Sequence, residues 1–127
     1  MKLKFKSLIN QNDDLKTIEF TVPVMVYDED SFKVFVFDEP NTNLKSMIEI
    51  SDYEINIHTN TSTIFLKHQK EYMFNFYFQN NGKEFAVPWK TFWDKKDFFD
   101  NTYVFSYWIE SNGIKIGDFE ITLIIEE

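Results

Sequence analysis

The sequence predicts an all-β fold, an antiparallel up-and-down β-barrel of about 8–10 strands, on three observations. Apolar side chains recur at every second position through most of the chain, the period of a strand with one buried face. Polar turn signals rich in Asn, Asp, Ser and Gly follow about every eight to twelve residues. No window of a dozen residues carries the spacing of an amphipathic helix. A meander of hairpins favours closure, because closure removes the unpaired edges that template aggregation. The 127 residues are expected to form one domain, residues 1–127, large enough for a core without staples.

Leu3 and Phe5 alternate with Lys2, Lys4 and Lys6, so the first strand has one cationic face. Such a row protects an exposed edge or faces solvent more often than it binds an anion. Gln11 to Asp14 make a polar turn. Ile18, Phe20, Val22, Val24 and Val26 then define an inner face, while Pro23, which has no N–H to donate, predicts a bend or an unpaired edge. Asp28 to Ser31 turn into Phe32–Phe37, which is apolar on both faces, and Pro40 to Asn43 form a loop.

Met47 to Ile50 read as a short strand, with Ser51-Asp52 as a tight connection. Tyr53, Ile55 and Ile57 face in, alternating with Glu54, Asn56 and His58. After the polar turn from Thr59 to Ser62 come Ile64, Leu66 and His68 in one phase, then Tyr72, Phe74, Phe76 and Phe78. Asn80-Asn81-Gly82 is a hairpin signal leading to Phe85, Val87 and Trp89. Thr91 to Trp93 extend that strand. Asp94 to Asn101 read as the longest polar connection, with room for a short helical turn.

The final hairpin is the clearest local feature. Asn112-Gly113 supplies the two positive-φ residues of a type I′ turn. Tyr103, Phe105, Tyr107 and Ile109 alternate before it. After it, Ile114 and Ile116 are followed by Phe119, Ile121, Leu123 and Ile125, a flip of phase that requires one bulged residue. The two-residue turn sets Ser111 opposite Ile114 and Ile109 opposite Ile116, and the bulge is placed at Gly117-Asp118. The bulge then sets Tyr107 opposite Phe119, Phe105 opposite Ile121 and Tyr103 opposite Leu123.

With the strands placed, the chain resembles the YwiB-like bacterial family of unknown function. The resemblance is carried by Phe5-Lys6-Ser7-Leu8-Ile9 with Ile18-Glu19-Phe20, by Lys33-Val34-Phe35, and by Ile48-Glu49-Ile50 with Glu54-Ile55. The hairpin from Tyr103 through Tyr107 and Gly117 to Ile125 completes it. The chain differs in having His58 and Asn60 where the family tends to place a basic residue and a glycine. The resemblance implies a calycin-type, lipocalin-like barrel and carries over no activity or catalytic residue.

Composition narrows the chemistry. There is no cysteine, which excludes disulfides and thiolate chemistry, and a net charge of −8 argues against nucleic acid as a partner. No apolar run reaches membrane-spanning length and the lysine-bearing N-terminus lacks an apolar leader, so a cytoplasmic setting is expected. With three glycines there is no phosphate cradle or dinucleotide fingerprint, and no cofactor is expected. His58 and His68 have no partners at metal-ligand spacing, so no metal is expected and His58 reads as a surface histidine. The acidic turns Asp28-Glu29-Asp30 and Asp38-Glu39 lack the pattern of a calcium loop and read as solvated. No catalytic signature is present, which favours a non-catalytic protein.

Inward tyrosines are the unusual feature, because a buried phenol needs a hydrogen-bond partner. They point either to a packed polar network or to a cavity for one small, largely apolar ligand. Tyr53, His68, Tyr72, Trp89, Tyr103 and Tyr107 would line that cavity. The other reading is an interaction module acting through the outer face, where Met25, Tyr27, Met73, Tyr77, Trp108 and Ile124 point outward. A homodimer through part of that face is one expectation; Phe98 or Phe99 folding over Trp108 is the other.

Overall fold

The alternation of the sequence folds into ten strands and, among the described residues, no helix. The computed structural model describes residues 1–42, 44–59 and 62–127. The strands are β1 (Lys2–Gln11), β2 (Asp14–Glu29), β3 (Phe32–Asp38), β4 (Lys45–Ile50), β5 (Glu54–His58), β6 (Thr63–Lys67), β7 (Glu71–Asn80), β8 (Lys83–Phe99), β9 (Thr102–Ser111) and β10 (Ile114–Glu126). They form one antiparallel sheet in the order β6-β5-β4-β3-β2-β1-β10-β9-β8-β7, curled into a nearly closed barrel. Sheet neighbours are chain neighbours throughout, except that β1 and β10 lie side by side.

Turn chemistry sets the hairpins. Asn12-Asp13, Asn81-Gly82 and Asn112-Gly113 all have positive φ at both positions, 53° and 78° in the last. That backbone twist matches the twist of the flanking strands. The predicted bulge after the last turn lies one residue earlier than expected. Ile109 faces Gly117 rather than Ile116, and Tyr107–Phe119, Phe105–Ile121 and Tyr103–Leu123 follow as expected. Gly117 is needed in the paired strand because β1 passes close by. A Cβ there would sit 3.0 Å from the carbonyl oxygen of Asn10 and 2.9 Å from Cγ of Gln11.

Two other expectations are corrected. Asp94 to Asn101 is no loop: β8 runs to Phe99, and Lys95–Ser106 through Phe99–Thr102 pair with β9 after a bulge at Asp94. The bulge reverses the phase, so Thr91 and Trp93 face in before it and Lys96 and Phe98 after it. The lysines of β1 guard no edge, since β1 is paired on both sides. Lys4 and Lys6 instead meet Glu126 and Glu19 at 3.1 and 3.6 Å on the exposed face.

The interior is packed. Trp93, Phe35 and Phe105 are the largest fully buried side chains, joined by Leu3, Ile48, Ile55, Leu66, Ile109 and Leu123. The Trp93 indole N–H donates to the Lys95 carbonyl at 2.9 Å, so its one polar group is satisfied.

Closure is by overlap rather than by a continuous ladder. The Thr91 hydroxyl donates to the Phe65 carbonyl at 2.6 Å, and the Gln69 amide donates to the Trp93 carbonyl at 2.8 Å. Strand β6 therefore abuts β8, while β7 laps over it. The rings of Tyr72 and Phe74 lie 6.1 and 5.3 Å from Phe65, whose side chain alternates with the core-packed Ile64 and Leu66. Tyr72, Phe74, Phe76 and Phe78 keep the predicted phase but stand outside the core, because β7 has passed beyond β6.

Two glycine substitutions separate the two backbone requirements. Gly113→Val should lower stability by roughly 1–3 kcal/mol, because a β-branched residue is strained at positive φ. Gly117→Val should cost about as much for a different reason, overpacking against the backbone of Asn10. Chemical denaturation measures both, and an unchanged midpoint in either variant would contradict the corresponding assignment.

Candidate functional site

Strand β2 serves two partners in succession. Residues Asp14 to Pro23 pair with β1, and Val24 to Glu29 pair with β3. The Val24 amide donates to the Met1 carbonyl at 3.1 Å. Amides alternate sides along a strand, so an N–H at position 23 would point to the other edge. There β3 pairs only from Val24 onward, and the proline leaves no donor unmet. The edge predicted at Pro23 is thus realised over the whole N-terminal half of β2.

Beside this free edge, at the barrel end carrying the β3–β4 loop, a cleft of about 380 Å³ opens into the apolar interior. Its walls are Phe5, Ile18, Phe20, Phe37, Ile48 and Ile57. Phe5 and Phe20 stack at 4.6 Å, and Phe37 tilts against both at 6.2 and 6.0 Å. Buried Ser46 and half-buried Glu39 stand at the rim, the serine hydroxyl donating to Glu39 Oε1 at 2.7 Å. Such a volume with apolar walls and a few polar groups is typical of a small-molecule site.

None of the six residues expected to line a ligand cavity borders this cleft. Tyr53 is corrected outright: it is 74 % exposed, at the apex of a turn in which Ser51 bonds the backbone of Glu54, and the inward phase starts only after it. The Tyr72 ring packs on Phe65 and Phe74, with the Lys67 ammonium 4.8 Å from its centroid. Trp89 stacks on Phe76 at 3.8 Å. Tyr103 packs between Phe35 and Phe98, beside a shallow depression at the opposite barrel end that also includes Asp28 and Asp30. Tyr107 is part of the core against Phe105 and Phe119, and burial pushes its phenol well above the usual tyrosine range. His68 lies 4.8 Å edge-on from Trp93 at the seam. The structure therefore distributes these side chains along the seam, the core and the far end.

His58 sits half-buried on the outer face, its Nε2 2.6 Å from Glu49 Oε1 and its Nδ1 3.0 Å from Thr63 Oγ1. The departure noted at Asn60 lies outside the described residues. No cluster of three His, Asp or Glu side chains that could hold a metal occurs among the described residues. On the outer face, Trp108 stacks with its cross-strand partner Phe92 at 5.5 Å, and neither Phe98 nor Phe99 covers it. Lys90 separates it from Met73 and bridges Glu110 and Glu71, which together raise the lysine's pKa.

The cleft residues were legible only as core. The signals that could have found the site were Pro23, which leaves an edge without a partner, and Glu39-Pro40, which places a carboxylate where the chain turns over it.

Fold and cleft define a ten-stranded antiparallel β-barrel with one end opened beside a free strand edge. The chain belongs to the family of an uncharacterised protein of Mycoplasmopsis pulmonis, to which it is 32 % identical over 130 residues spanning 100 % of both chains. No protein-family profile matches it. The crystal structure of YwiB from Bacillus subtilis superposes with a TM-score of 0.69, covering 99 % of this chain and 91 % of that one. At 14 % identity this likeness is one of fold.

The seam histidine makes stability depend on pH. His68 is held below its ordinary value of 6.5, first by desolvation and then by the Lys96 cation, with Asp94 partly opposing. Below pH 6.5 the unfolded chain takes up a proton that the folded chain resists, so the stability present above that pH falls as pH drops toward the folded value. Denaturation midpoints measured from neutral pH downward should fall less steeply in His68→Gln than in the wild type. Equal slopes would contradict the partial desolvation of this ring.

Proposed function

We propose that the protein is a non-catalytic binding barrel that takes a small, largely apolar molecule in the cleft beside β2. One observation carries this reading: apolar side chains that elsewhere fill the interior here surround about 380 Å³ of space open to solvent. The centre of the barrel is occupied by Trp93, Phe35 and Phe105, so the reading places the ligand at the mouth rather than on the axis. The calycin-type kinship implied by the sequence resemblance, and a cytoplasmic setting, belong to the same proposal.

The neutral dye N-phenyl-1-naphthylamine tests it. The native protein should bind the dye saturably with one-to-one stoichiometry. Ile57→Trp, which fills the cleft from its wall, should abolish binding while leaving the protein folded. Absence of saturable binding, or equal binding by Ile57→Trp, would rule the cleft out.

A second reading places function on the outside, and the lapping hairpin favours it. Phe78 and Phe85 stack at 5.6 Å yet remain 37 % and 44 % exposed, with Met73 and Tyr77 on the opposite face. On this reading a second copy of the chain covers the hairpin. Sedimentation at micromolar concentration should then show a dimer that Phe85→Ser converts to monomer. A wild-type monomer would end the homodimer reading.

A further inference from the structure

The cleft has a charge character as well as an apolar one. Among its described lining residues the ionisable groups are Glu19 and Glu39, with no lysine or histidine. Glu19 is engaged by Lys6 at 3.6 Å on the outer face.

Glu39 is held differently. Its amide donates to the Leu44 carbonyl at 2.8 Å, which fixes the base of the loop, and Oε1 accepts the hydroxyl of Ser46, only 5 % exposed. Among the described residues no lysine reaches Glu39 and no donor reaches its Oε2. A carboxylate is thus fixed at the rim of an apolar cavity with acceptor capacity to spare. A protein carrying a net charge of −8 draws cations toward it at long range.

From these observations we infer that the cleft takes an amphiphilic amine: an apolar body seated among Phe5, Phe20, Phe37 and Ile48, with an ammonium group donating to Glu39. This inference rests on the proposal that the cleft binds a small apolar ligand, and names the class of that ligand. The charge-assisted hydrogen bond is the stronger kind, and the surrounding apolar walls reduce its competition with water.

The test uses two probes with one apolar body, 1-naphthylmethylamine and 1-naphthylmethanol, titrated calorimetrically at neutral pH. The amine should bind wild-type protein at least tenfold more tightly than the alcohol. Glu39→Gln should bring the two to parity by weakening the amine alone, whereas Glu19→Gln should leave the preference in place. Should Glu39→Gln fail to fold, salt decides on the wild type: the amine's advantage must shrink as ionic strength rises. Equal affinities in the wild type, a preference that survives Glu39→Gln, or an advantage indifferent to salt would each overturn the amine assignment while leaving an apolar site standing. Binding of neither probe would overturn the cleft reading itself and this inference with it.

Discussion

Trp93 is the side chain on which closure of the barrel depends. It is fully buried, meets Phe98 and Phe105 from its own half of the sheet, and packs at a steep angle against His68 from the seam. Its backbone carbonyl accepts the Gln69 amide, so the residue that fills the centre also anchors the turn joining the two ends of the sheet. A bulge follows immediately at Asp94, and without it Lys95 rather than Phe98 would share the inward phase. Hydrophobic burial and the few seam hydrogen bonds are therefore concentrated at one point, where an unbroken ladder would have spread them around the ring.

The cleft is the counterpart of that packing. A strand that changes partner must leave one edge unpaired on each side of the change, and β2 makes the change at a residue that cannot donate there. The walls remain apolar because they belong to the same inward rows that, a few residues further along each strand, build the core. What distinguishes wall from core is the absence of a facing side chain.

Much of this was legible from local patterns. A period of two and an Asn-Gly turn are properties of neighbouring residues, so the strands and the Asn112-Gly113 hairpin could be read directly. The phase of β8 beyond Asp94 could not, because the bulge falls within Asp94-Lys95-Lys96-Asp97, where no apolar residue marks the reversal. Tyr53 leaves its expected face for a related reason: the Ser51 turn delays the strand, which no alternation count can show. The tyrosines share one sequence phase but not one place, because phase says which face a residue takes and is silent on how far around the ring it lies. The cleft depends on where β2 exchanges β1 for β3, a tertiary fact announced in the sequence only by Pro23.

The ring is thus interrupted twice, once at the lap of β7 over β6 and once along the free half of β2. Four strands, β3 to β6, lie between the interruptions on one side, and six on the other. The barrel is mechanically two curved panels rather than a hoop. Among the described residues, no backbone hydrogen bond crosses from residues 14–23 of β2 to the smaller panel, so spreading the mouth there breaks none of those described. Among the described residues, girth at that end is set by side-chain contact, and the opening can widen at the cost of sliding apolar surfaces.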